Sequence, residues 1–291
     1  MVVMSAFAEH PEMLSFATSD GSLAYRDTGK GQPLVLLHAG FFDHSMWDDQ
    51  TRAFAPHYRV IAPDARGHGA SSNATRPFRP ADDLAALLRR LDAGPAVLVG
   101  VSMGGGTAVD VALEHPELVR AVVVSGVGTS EPYFEDPWSL EVLGKQNGAL
   151  AAGDIEGWLD GHVRFAAGPH RSLGDVDADV VNRLRAMASR TISKHAAGEP
   201  DYRVPVLQTW RRAASIDVPV LAICGALDVS DHRAMAERLV DAVPDGRAVF
   251  VENTAHFPNM ERPTEFNALL AAFLEALPHR GPSEAATRHR V

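Results

Sequence analysis

Gly100-Val101-Ser102-Met103-Gly104 is the stretch whose residue types and spacing best suit covalent chemistry. An apolar run, Pro95-Ala96-Val97-Leu98-Val99, precedes it, and Gly105, Gly106, Thr107 and Ala108 follow. The pattern predicts a short buried strand, a sharp turn at Ser102, and a helix reaching about His115, where Pro116 stops it. Glycine on both sides of such a turn removes Cβ atoms that would collide with neighbouring backbone. The turn pushes the hydroxyl out of the sheet, beside the free N–H groups of the helix N-terminus. The chemistry on offer is nucleophilic attack with an anion-stabilising site alongside.

A serine hydroxyl needs a base, and position must choose among 13 histidines. His256 lies in Asn253-Thr254-Ala255-His256-Phe257-Pro258, just past the apolar run Ala248 to Val251, in a loop at a strand's carboxyl end. His115 reads as a charge at a helix C-terminus. His162, His170 and His195 fall in a helical block, and His279 and His289 in the C-terminal tail. The base needs a carboxylate to fix its tautomer. Asp228 supplies one in Gly225-Ala226-Leu227-Asp228, after the run Val218 to Cys224. Asp231 is a competitor that reads better as the cap of a helix starting near His232, and Glu131 is a less usual placement of the acid. For the oxyanion, one donor is the N–H of Met103. The other comes from His38-Ala39-Gly40-Phe41, following Pro33 to Leu37, with Gly40 the candidate and Phe41 the alternative.

The elements that must position these groups alternate along the chain. Met13 to Thr18 and Leu23 to Asp27 read as two strands turned at Asp20-Gly21. Pro33 to Leu37, Tyr58 to Ala62, Pro95 to Val99, Val119 to Ser125, Val218 to Cys224 and Ala248 to Val251 read as buried strands. Helical patterns fall at Met46 to Phe54, Pro80 to Leu91, Arg233 to Val243 and Thr264 to Leu277. The expected fold is α/β: a mostly parallel eight-stranded sheet flanked by helices. From about Ser130 to Arg212 the rhythm breaks into helix-like pieces, which reads as a helical cap inserted between two core strands. The expected division is a core of 1–129 and 213–278, a cap of 130–212, and a disordered tail of 279–291. Most of the cap's aromatics are expected to fill its own small core. Those placed at the substrate pocket, with neighbours from the core, are Phe41, Val101, Tyr133, Trp138, Trp158 and Phe257. Arg164, Arg211 and Arg212 read as exposed charges.

Bulk properties narrow the partners. The chain has 291 residues, 46% hydrophobic and 22% charged, with a net charge of −10. An acidic chain without a basic run suits neither nucleic acid nor an anionic membrane surface. Cys224 is the sole cysteine, so no intrachain disulfide forms, and its apolar setting reads as core packing. No signal peptide pattern is seen, and no apolar run approaches the ~20 residues of a membrane span. A cytoplasmic protein is the expectation. No H-E-x-x-H or other ligand cluster calls for a metal, and no cofactor is expected.

Taken together, Leu36-Leu37-His38-Ala39-Gly40, Asp64-Ala65-Arg66-Gly67-His68-Gly69-Ala70-Ser71, the serine elbow, Gly225 to Asp228 and Ala255 to Glu261 resemble the α/β-hydrolase superfamily. The likeness is to its cap-bearing branch of esterases, enol-lactonases, epoxide hydrolases and dehalogenases, over roughly residues 20 to 277. The chain order Ser102, Asp228, His256 is that of the family. Asp64 to Ser71 matches a turn with a structural role. Two departures are Val101, where many relatives carry histidine, and His-Ala-Gly in place of His-Gly at the oxyanion loop. A serine nucleophile separates this chain from the relatives that attack with aspartate. The resemblance therefore implies hydrolysis of a small or medium carboxylic ester or lactone through an acyl-serine. Carbon–carbon bond hydrolases, cofactor-free perhydrolases and small-ligand receptors of the same fold are the alternatives. Oligomeric state is not legible in the sequence.

Overall fold

The computed structural model describes residues 12–278, so the expectation of a disordered tail falls outside the described residues. Eight strands form one sheet in the order β1-β2-β4-β3-β5-β6-β7-β8. They are β1 (Leu14–Ala17), β2 (Ser22–Thr28), β3 (Pro33–Leu37), β4 (Arg59–Pro63), β5 (Ala96–Val101), β6 (Val119–Ser125), β7 (Val220–Gly225) and β8 (Gly246–Val251). The pairs β1/β2 and β2/β4 are antiparallel, and all others are parallel. Both faces are covered, which is why β5 and β7 read as unbroken apolar runs with every residue buried.

Side chains alternate across β3. Leu34 and Leu36 join one core, with Trp47, Phe266 and Leu270, while Val35 and Leu37 join the other, with Leu84, Leu87, Ala108 and Val111. α1 (Asp48–Phe54) packs on the Leu34/Leu36 face, and α2 (Pro80–Arg90) and α3 (Met103–Glu114) on the Val35/Leu37 face. α2 begins with Pro80 and carries Asp82 and Asp83 in its first turn and Arg89 and Arg90 in its last, matching the helix dipole.

Between β6 and β7 the chain departs into a helical insertion, α4 (Pro137–Ala151), α5 (Ile155–Val163) and α6 (Ala178–Ile192), followed by a short α7 (Thr209–Arg212). No strand forms there among the described residues, only an isolated bridge between Phe78 and Arg203. Trp158, Leu159, Leu184 and Met187 of the insertion are buried in the same cluster as Leu34 and Val99, so it packs on the core. Its departure point is fixed by Asp110 of α3, which is buried and accepts from Ser130 Oγ at 2.7 Å. Burial pushes the Asp110 carboxyl up to about 7. The chain returns through α8 (Ser230–Ala242), α9 (Pro258–Glu261) and α10 (Pro263–Ala276).

Candidate active site

Ser102 sits between β5 and α3 with φ 52° and ψ −118°, a left-handed backbone rare for a residue with a side chain. The flanking glycines explain how the chain passes through. A Cβ on Gly100 would lie 2.2 Å from the Gly104 carbonyl carbon, and one on Gly104 would lie 2.2 Å from Leu37 O. Ser102 N–H donates to Ser125 O at 2.8 Å, locking the turn to the end of β6. Ser102 and Met103 are both partly exposed.

Asp228 and His256 come together from the loops after β7 and β8. His256 Nδ1 lies 2.9 Å from Asp228 Oδ2, and both residues are buried. The ring of His256 passes over Gly126, where a Cβ would stand 2.5 Å from Cε1. Ser102, through its backbone, and His256, through its ring, are thus both set against Ser125–Gly126 at the end of β6. No hydrogen bond joins Ser102 Oγ to His256 among the described residues, and such contacts commonly tighten only with substrate.

Asp228 carries a second imidazole. Its Oδ1 accepts from Val229 N–H at 2.8 Å and lies 3.0 Å from His232 Nδ1, while the rings of His232 and His256 stack at 4.1 Å. Asp228, His232 and His256 thus form a cluster of metal-ligating types with ligand atoms within 4.8 Å of one another. That corrects the expectation that no such cluster exists. Both Nδ1 atoms are committed to the carboxylate, an arrangement of hydrogen bonds rather than of open ligand positions. Burial alone would raise the Asp228 carboxyl, but the charge and hydrogen bonds of His232 and His256 hold it well below the usual carboxylate range. Burial lowers the pKa of His256, as does neighbouring His232, with Asp228 opposing both.

The loop after β3 is set by His38, which is buried. Its Nε2 accepts from Ala65 N–H at 2.9 Å, so its Nδ1 bears the proton donated to Ala39 O at 2.8 Å. Phe42 N–H donates to the same carbonyl at 3.1 Å. In a trans peptide the N–H is opposed to the C=O, so Gly40 N–H is turned away from that cluster. The Asp64 to Ser71 turn is structural as expected: Asp64 accepts from His44 N–H and Ala70 N–H, both at 2.8 Å, and Ser71 Oγ bonds Asp64 O and Ala24 N–H.

A family profile described as alpha/beta hydrolase fold matches residues 32–263. The chain belongs to that family. An (E)-2-((N-methylformamido)methylene)succinate hydrolase of Acinetobacter baylyi is 27% identical, over 87% of this chain and 94% of its own. The 3-oxoadipate enol-lactonase 2 of the same organism is 27% identical, over 90% and 96%. A solved structure described as an N-acyl homoserine lactone degrading enzyme matches with a TM-score of 0.71 and 26% identity, over 89% of this chain and all 100% of that one. The α/β-hydrolase architecture thus carries a helical insertion here, and no described helix is long and apolar enough to cross a membrane.

Other expected site residues scatter. Trp158 stacks on His162 at 4.9 Å and meets Phe41 edge-on at 4.7 Å. Phe257 packs on His256 at 4.9 Å and on Phe42 at 5.3 Å. Trp138 meets Phe165, whose ring lies 6.0 Å from His256. Tyr133 instead pairs with Trp210 under Arg238, and Val101 is wholly buried in the core. None of the six expected pocket residues lines the cavity beside the elbow, which is walled by Met103, Thr107, His38, His68, Phe78 and Leu87 among others. Asp231 does not cap α8, whose cap position is Val229: its carboxylate accepts from the N–H groups of Glu135 and Asp136. Glu131 is taken by Thr209 and Gln208 at the start of α7. Arg164 is partly buried, bonded to Gly168 O at 2.8 Å and packed over Trp138, rather than freely exposed.

Sequence reasoning missed His232, although its spacing of four from Asp228 on the first turn of a helix was a usable signal. It also missed Glu261, which accepts from Ala255 N–H at 2.8 Å and pairs with Arg171 at 2.8 Å, bracing the His256 loop.

Proposed function

We propose that this protein is a serine hydrolase cleaving small or medium carboxylic esters or lactones through an acyl-serine intermediate. Ser102 Oγ attacks the carbonyl carbon while His256 Nε2 takes its proton. Asp228 fixes the His256 tautomer and stabilises the imidazolium. The tetrahedral oxyanion is held by the N–H groups of Met103 and Gly40, with Phe41 N–H the alternative. The imidazolium returns its proton to the leaving alkoxide, leaving an ester on Ser102. Water, deprotonated by His256, then releases the acid. With a lactone the alcohol and acid remain one molecule.

The observation that carries this reading is the convergence at Ser125–Gly126 of a left-handed serine and a buried His256–Asp228 pair. The lactone-cleaving relatives support the substrate class, a lactone being a cyclic ester. In this reading residues 130–212 are a cap over a core of 1–129 and 213–278, and Leu37, Phe78, Leu87 and Met103 set an apolar wall beside the elbow. Apolar walls exclude water and strengthen the oxyanion interactions.

The test is hydrolysis of a chain-length series of p-nitrophenyl esters alongside simple lactones, with Ser102→Ala in parallel. The expected result is best kcat/KM on short or medium acyl groups or lactones, and a loss of roughly 10³-fold or more in the variant. Turnover by folded Ser102→Ala close to that of the parent would overturn the nucleophile assignment. A preference for long acyl chains would overturn the size limit.

A further inference from the structure

The oxyanion loop is not held by the core alone. His162, near the end of α5, reaches it across 122 residues of sequence and places Nε2 3.1 Å from Gly40 O. A carbonyl only accepts, so Nε2 bears the proton, and Nδ1 accepts from Gln146 Nε2 at 2.9 Å. The neutral ring is the one this geometry needs, and burial lowers its pKa to about 4. Trp158 stacks on it with an interplanar angle of 8°.

What it touches is strained. Phe41 has φ 61°, a left-handed backbone that a bulky side chain adopts only when its surroundings impose it. Its ring is enclosed by Trp158 at 4.7 Å, His162 at 5.4 Å, His68 at 6.0 Å and His195 at 6.3 Å. The two peptides around Gly40 therefore have separate anchors. The Ala39–Gly40 peptide is fixed from the core by His38 and Phe42. The Gly40–Phe41 peptide is fixed from the insertion by His162. Because N–H opposes C=O in a trans peptide, holding Gly40 O also directs Phe41 N–H. A few residues on, Phe165 O accepts from His256 N–H at 3.4 Å, and a Cβ on Gly168 would lie 2.4 Å from Leu227 O. One short stretch of the insertion thus abuts the oxyanion loop and the loops carrying Asp228 and His256.

We infer that His162 is a positioning residue for the oxyanion hole: its Nε2–H holds the Gly40–Phe41 peptide, and with it the strained turn that joins the two candidate donors, directing Phe41 N–H and, through Gly40, the neighbouring Gly40 N–H. This rests on the acyl-serine reading above. Substrate in the ground state makes little use of an oxyanion donor, so the effect falls on kcat rather than KM.

The experiment compares His162→Phe, which keeps a ring against Trp158 but has no donor, with His162→Gln, whose amide N–H can still reach Gly40 O. Each is assayed for p-nitrophenyl acetate turnover, inhibition by a phenylboronic acid, and labelling by a fluorophosphonate probe. Ser102→Ala serves as the control. In His162→Phe, kcat, boronate affinity and labelling rate each fall roughly tenfold or more, while KM stays within about twofold. His162→Gln recovers most of the loss. Parent-like values in folded His162→Phe overturn the inference, as does a rise in KM with kcat unchanged, which would make His162 a wall of the binding pocket. Equal losses in the Gln and Phe variants also overturn it, because the donor would then be irrelevant. Activity or probe labelling persisting in Ser102→Ala instead overturns the acyl-serine reading itself.

Discussion

The two ends of the candidate site are built on different plans. At the acid–base end the side chains that meet the carboxylate come from the sheet's own loops: Asp228 after β7, His256 after β8, and His232 four residues beyond Asp228. There the insertion reaches only the backbone and the brace of the His256 loop, through Phe165 O and Arg171. At the oxyanion end the hold is divided. His38 and Phe42 belong to the core, whereas His162, Gln146 and Trp158 belong to the insertion. α6 adds Arg190 on Asp43 at 2.6 Å, and Lys194, just past its end, bonds Gly69 O at 2.9 Å. Two imidazoles make the contrast concrete. His256 faces a carboxylate that can stabilise its charged form, while His162 faces an amide and a carbonyl that suit only the neutral ring. The partner atoms, more than the histidine, decide which can move a proton.

The comparison breaks most sharply at the acid–base end. His256→Ala should cost about as much activity as Ser102→Ala, because the members act as a unit, and Asp228→Asn should cost less but still at least ~10²-fold. Steady-state kinetics on folded protein decides this. An Asp228→Asn variant within a few-fold of the parent would mean that the carboxylate is not orienting the base.

A finer cut is His232→Phe, which keeps an aromatic on His256 but frees Asp228 Oδ1 from one donor. His256 acts as a base only when neutral, so activity falls as pH drops through its pKa. Burial and His232 lower that pKa, which extends activity toward mild acid. Removing His232 leaves Asp228 more able to stabilise the imidazolium, so the acid limb of kcat/KM should move to higher pH with the plateau little changed. His162→Phe should leave that limb in place and lower the plateau. Should both variants shift the pH profile, or neither, the two-plan description would be wrong.

Much of the fold was legible because it rests on local pattern. Pro33–Leu37 and Val119–Ser125 are strands to the residue, and Pro80 with its following aspartates marks the start of α2. Ser102 was legible because a turn that tight leaves glycines in the sequence, and Asp228 and His256 because strand ends locate loops. The insertion was legible only as a departure from rhythm. Which of its aromatics face the core, pair with each other or reach Phe41 depends on packing between segments far apart in sequence. Tyr133 and Trp158 carry the same kind of signal and end in different places. Val101 looked like a pocket residue from its position beside the nucleophile, but strand alternation turns it into the core. His162 left no trace, since neither a periodicity nor a motif announces a hydrogen bond to a backbone carbonyl 122 residues away.

Asp110 of α3, bonded to Ser130 where the chain leaves β6 for the insertion, has a thermodynamic consequence of its own. Its carboxyl sits at about 7 in the folded protein against an ordinary 3.8. The native state therefore keeps a proton between roughly pH 4 and 7 that the unfolded chain releases. Unfolding in that window liberates a proton at this site, so its contribution to stability is full below about pH 4 and is lost as pH rises toward 7. That is opposite to the usual paired carboxylate. Melting temperatures measured across this range should show a downward slope with rising pH that Asp110→Asn flattens, and an unchanged slope in the variant would place the proton elsewhere. The root of the insertion is thus a proton store, filled in mild acid and emptied near neutrality.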